Sequence, residues 1–79
     1  MGPNERIQRA VDRYIVETGR EATHIFIGRD LWNEARRSIY ARAEERGLTL
    51  YFWNGLKIEV VPALPENAVI VGHALEVLE

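Results

Sequence analysis

Apolar residues recur at Ile7, Ala10, Val11, Tyr14 and Ile15, while Glu5, Arg9, Asp12 and Arg13 take the positions between them. Steps of three and four gather the first set on one stripe of a helix and the second on its opposite side. Pro3 suits the first helical position and Gly19 the C-terminal cap, so the spacing predicts a first helix from Pro3 to Gly19, laid on a sheet. THIFIG (23–28) is short, β-branched and apolar on both faces, as a strand near the middle of a sheet is. A second stripe, Leu31, Trp32, Ala35, Ile39 and Ala43, predicts a helix from about Asp30, its N-cap, to Arg46, with Gly47 as its stop. Its outer face would carry Glu34, Arg36, Arg37, Glu44 and Glu45.

LYFWNGLKIEVV (50–61) alternates around Asn-Gly, the strongest short hairpin signal. A two-residue Asn54-Gly55 loop sets Phe52 against Lys57 and places Leu50 and Phe52 on one face with Lys57 and Glu59. A three-residue Trp53-Asn54-Gly55 loop sets Phe52 against Leu56, Leu50 against Ile58 and Leu48 against Val60, so that six apolar residues share a face. The pattern favours the second register. It makes Phe52 core, puts Tyr51 on the outer face and leaves Trp53 on the turn, either projecting or folded back over the sheet edge. PALPEN (62–67) must leave the sheet, because Pro62 and Pro65 have no amide donor. AVIVG (68–72) re-enters it, and HALEVLE (73–79) fits either a short strand or a helix. The expected fold is α+β: one domain over residues 1–79, with two helices packed on one face of a small four-stranded mixed or antiparallel sheet.

Composition narrows the function classes. A chain of 79 residues, 47% hydrophobic, buries only roughly 60 to 65% of its unfolded surface, so its stability is modest or helped by association. It has no cysteine, which removes disulfides and thiolate metal sites, and its two histidines are too few for another metal site. No run approaches a membrane span, and MGPNERIQRA lacks the apolar segment of a secretory signal, which places the chain in a cytoplasm. A net charge of −2 argues against nonspecific nucleic-acid binding, although nine of the ten basic residues are Arg.

Three groups of residues could carry chemistry. His24 and His73 would make an acid–base pair if the strand ends that bear them meet, with Asp30 or Glu76 orienting a ring. With Arg29 they would form a small ligand-binding or hydrolytic site. Gly28 and Arg29, between a strand and a helix start, could hold an anion on free amides, although a tight turn capped by Asp30 explains the same residues. Arg29, Arg36, Arg37, Arg42 and Arg46 could line a nucleic-acid-binding strip along the second helix, with Trp32 or Tyr40 stacking; Glu34, Glu44 and Glu45 interrupt it.

From residue 23 to 72 the order of elements, IFIGRDLW, a strand into a glycine-containing turn, LKIEVV, PALPEN and AVIVG, resembles the C-terminal axial-domain segment of tailed-phage major capsid proteins and encapsulin-type shells. The matching positions are Leu56, Pro62, Leu64, Pro65 and Gly72. The resemblance implies subunit contacts rather than catalysis, and a phage- or prophage-derived capsid-like or accessory domain, cytoplasmic or virion-associated. A shell protein's spine helix, extended arm and peripheral domain do not fit into 79 residues. The expected function is therefore a noncatalytic interaction module without cofactor, acting by self-association or on a protein partner through Tyr51, Trp53, Asn54 and Lys57.

Overall fold

The computed structural model describes residues 2–37 and 41–73. Helix α1 (Pro3–Thr18) is followed by strand β1 (His24–Ile27), helix α2 (Arg29–Ala35), and strands β2 (Ala41–Glu45), β3 (Leu48–Trp53), β4 (Leu56–Val60) and β5 (Val69–Gly72). The strands form one sheet in the order β2-β3-β4-β1-β5. β1 runs parallel to β4, and the other neighbours are antiparallel.

α1 ends as its sequence requires: Gly19 adopts φ 69° and its amide donates to the Ile15 carbonyl at 2.8 Å. Ile7 and Val11 from α1 and Leu31 and Ala35 from α2 are buried against Ile25, Ile27 and Ile58, so both helices lie on one face of the sheet. Ile15 at the end of the α1 stripe stays exposed.

The second helix stops at Ala35, and Arg42, Ala43, Glu44 and Glu45 form a fifth strand instead of its last turns. Gly47 is not a helix stop: Arg46 (φ 52°) and Gly47 (φ 79°) make a two-residue turn that folds β2 onto β3. Positive φ at both central residues is the type I′ geometry that matches strand twist. The residues are helix formers, but pairing with LTLYFW overrides that preference.

The preferred hairpin register is also overturned. Asn54 (φ 47°) and Gly55 (φ 81°) make a second two-residue loop, pairing Trp53 with Leu56, Phe52 with Lys57 and Tyr51 with Ile58. Tyr51, Trp53, Leu56 and Val60 therefore pack on the helix-side core, and Phe52 goes to the other face. Mixing charge with apolar residues is tolerated there because neither helix covers that face. Lys57 and Glu59 lie side by side on it with 3.0 Å between Nζ and carboxylate oxygen.

PALPEN leaves the sheet as expected and packs on Gly28. A Cβ on Gly28 would collide with the Pro65 carbonyl oxygen and the Glu66 backbone. The segment is tied down by Gly28 N–H to the Ala68 carbonyl and Leu31 N–H to the Glu66 carbonyl, both 3.0 Å. The ambiguous run 73–79 lies outside the described residues except for His73.

Candidate functional site

The face of the sheet turned away from both helices collects Leu48, Leu50 and Phe52 from β3, Lys57 and Glu59 from β4, His24 and Phe26 from β1, and Ile70 from β5. Leu48 is 67% exposed and Ile70 38%. Phe26 is buried, between Glu59 and Ile70 in the register, with the His24 ring stacked on it at a centroid distance of 5.8 Å. Leu48, Thr49 and Leu50 pair with β2 alone, whereas Tyr51, Phe52 and Trp53 also pair with β4. The chain thus extends a two-stranded arm past the body of its sheet. Residues 42–49 of this arm are all exposed.

The residues expected to meet a partner do not all lie on this surface. Tyr51 is half-buried with its ring edge on Trp32, centroids 4.9 Å apart, instead of facing outward. Trp53 is half-buried and lines a cavity of about 250 Å³ with Gln8, Val11 and Ile15 of α1. Asn54 is exposed on the turn, and Lys57 is engaged with Glu59. The sequence missed the arm and its leucines because Ala41–Glu45 reads as helix. The signal lay in Arg46-Gly47, a turn pair flanked by residues able to alternate.

The histidines are brought together. β1 and β5 place His24 opposite Gly72, so His73 follows at the same end of the sheet. Thr23 Oγ1 lies 2.8 Å from His24 Nδ1 and 3.1 Å from His73 Nδ1, and His73 Nε2 lies 3.2 Å from the Glu21 carbonyl oxygen. A carbonyl only accepts, so His73 Nε2 carries the hydrogen. In the neutral ring its Nδ1 then accepts the Thr23 hydroxyl, and Thr23 Oγ1 in turn accepts from His24 Nδ1–H. The Glu21 carbonyl fixes the His73 tautomer, the hydroxyl passes that choice to His24, and together they tie β1, β5 and the α1–β1 connection. Arg29 stands beyond the far end of β1, about 15 Å away at the rise of a strand, so the three residues do not converge.

At the start of α2 the amides of Gly28, Leu31 and Trp32 are already used. Leu31 N–H goes to Glu66, and Trp32 N–H returns to the Gly28 carbonyl at 3.0 Å. The Asp30 and Glu66 carboxyls also meet there. A hydrogen bond donated by the protonated Glu66 carboxyl to Asp30, then the Asp30 charge, raise the Glu66 pKa above the ordinary 4.5, and Arg29 only partly opposes this. Two carboxyls beside Gly28 and Arg29 repel an anion rather than collect one.

The arginine strip is dispersed. Arg29, Arg36 and Arg37 belong to α2 and its end, Arg42 to β2 and Arg46 to the turn. A different row, Arg6, Arg9 and Arg13 on α1, lines a groove of about 290 Å³ with Asn67 and Val69. Its signal was the i, i+3, i+7 spacing. Among the described residues no three His, Asp or Glu gather as metal ligands, and no helix is long and apolar enough to cross a membrane. No protein-family model, curated protein or solved structure matches this chain.

Proposed function

We propose that the chain is a noncatalytic interaction module that associates with further copies of itself through the β2–β3 arm. The observation that supports this reading is the arm: two strands carrying the exposed Leu48 and the half-buried Leu50, with no third strand beside residues 48–50 among the described residues. An isolated two-stranded ribbon is marginal in water, and a neighbouring molecule supplies what it lacks. Leu48, Leu50 and Phe52 give that neighbour an apolar strip, and charge complementarity along β2 selects a second copy as its occupant. A role in subunit contacts is also what the resemblance of residues 23–72 to shell-protein segments implies, with a phage-derived accessory domain as one setting for it.

The test is solution molar mass by light scattering over a wide concentration range, for the wild type and for Leu48→Lys. A lysine is tolerated at this exposed position and faces Glu45 across the turn. The wild-type mass should rise with concentration, and Leu48→Lys should shift that rise to higher concentration while its melting temperature stays within a few degrees. A wild type that remains monomeric throughout would overturn the reading.

A further inference from the structure

We infer that two copies of the chain pair antiparallel along β2, in the single register that places Ala43 on the twofold axis and Arg42 opposite Glu44 of the second copy. This deepens the self-association reading and rests on it.

β2 is the edge of the sheet, and its backbone decides which residues can reach outward. The Arg46-Gly47 loop closes on Glu45 and Leu48, so that pair is hydrogen-bonded. Alternation then gives Ala43 and Leu50 the next hydrogen-bonded pair and Ala41 and Phe52 the one after. The amides and carbonyls of Arg42 and Glu44 consequently point away from β3. Only registers that oppose outward-pointing residues can form a ladder. Centring on Arg42 sets Arg42 against itself, and centring on Glu44 sets two carboxylates against each other. Centring on Ala43 sets Arg42 against Glu44 twice, each pair exchanging both backbone hydrogen bonds.

Side chains agree with the backbone. Among the described residues neither Arg42 nor Glu44 has an ion-pair partner within the chain, and both are exposed. Opposite charges directly across a ladder attract, and the same charges discourage pairing with an unrelated edge. Arg42 and Glu44 lie on the side of Tyr51 and Thr49, while Ala43 shares the opposite face with Leu50. Pairing therefore leaves a run Leu50–Ala43–Ala43–Leu50 across the axis, joins two five-stranded sheets and turns each two-stranded arm into part of a four-stranded ladder. The interface is isologous and closes at two copies.

The experiment uses the full chain and compares wild type, Arg42→Glu, Glu44→Arg, an equimolar mixture of the two variants, and the double swap. Each single variant puts like charges opposite in both pairs and should weaken dimerisation by about tenfold. The mixture should recover it, because the glutamates of one variant face the arginines of the other, and native mass spectrometry should find a one-to-one heterodimer. The double swap should dimerise like wild type and serves if a single variant does not fold. Wild-type association that neither single variant weakens would overturn this register and leave self-association standing. Loss in the single variants without recovery in the mixture or the double swap would also overturn it. Masses that grow beyond the dimer would point to β2 meeting the β5 edge and overturn it too. A monomeric wild type would remove both the register and the reading it rests on.

Discussion

At the scale of single residues, Gly28 is constrained by proximity. Its backbone is extended, so the left-handed region is not why a glycine stands there; the Pro65 and Glu66 backbone leaves no room for a Cβ. Gly28→Ala must push the PALPEN loop away and break the bonds to Ala68 and Glu66. The expected loss is about 2 kcal/mol, a fall of roughly 10 °C in the melting temperature of a domain this small, read by thermal denaturation. Glu66, in the same loop, makes a pH prediction. Its folded pKa is raised, so the stability it contributes is present below the ordinary 4.5 and is lost as pH rises through the folded value. Glu66→Gln keeps a donor for Asp30 and removes the charge. It should melt no lower than wild type at pH 7 and show a flatter dependence from pH 4.5 upward; a variant that melts lower at pH 7 would refute the repulsion. Thr23 carries the tautomer that Glu21 imposes on His73 across to His24. Imidazole ¹⁵N shifts should show neutral His24 as Nδ1–H and neutral His73 as Nε2–H, and Thr23→Val should abolish the His24 preference. Equal tautomer mixtures in wild type would show that the hydroxyl orders neither ring.

At the scale of elements, Trp53 couples the β3–β4 hairpin to α1. Trp53→Ala should cost about 2 kcal/mol by opening the space between Gln8, Val11 and Ile15, and should leave association per folded molecule unchanged. Denaturant titration measures the first, and light scattering corrected for folded fraction measures the second. Loss of association at full stability would restore Trp53 as a contact residue. Sequence pattern was a good guide where one face of an element is buried. The α1 stripe, THIFIG and the two prolines of PALPEN each carry a local physical signal, and each element lies where that signal puts it. The pattern failed on the sheet face that neither helix covers. Lys57 and Glu59 on the side of Phe52 look like a register error only if that face is assumed to be core. ARAEERG failed for another reason: its residues favour helix locally, and only its long ladder with LTLYFW, formed after the turn, makes it a strand. The histidine cluster was not legible because it depends on His24 facing Gly72 across β1 and β5, a pairing with no signature in either segment.

At the scale of the whole molecule, stability should be unevenly distributed. All seven residues of the helix-side cluster come from α1, β1, α2 and β4, and none from β2 or the outer half of β3. β1 holds parallel and antiparallel neighbours at once, whereas among the described residues β3 pairs with β4 only through Tyr51, Phe52 and Trp53. Opening residues 42–49 exposes little that water does not already reach, so it should cost much less than unfolding the body. In native-state hydrogen exchange at low protein concentration, the amides of Ala43, Glu45, Leu48 and Leu50 should exchange by a local opening almost insensitive to denaturant. The amides of Ile25, Ile27 and Ile58 should exchange only with global unfolding. If arm and body exchanged with one free energy and one denaturant slope, the arm would be an integral part of the cooperative unit and would need no neighbour to stabilise it. A low-stability arm on a rigid body has a functional consequence as well. Ordering it costs part of the association energy, which keeps a self-pairing edge weak and reversible while the body remains folded.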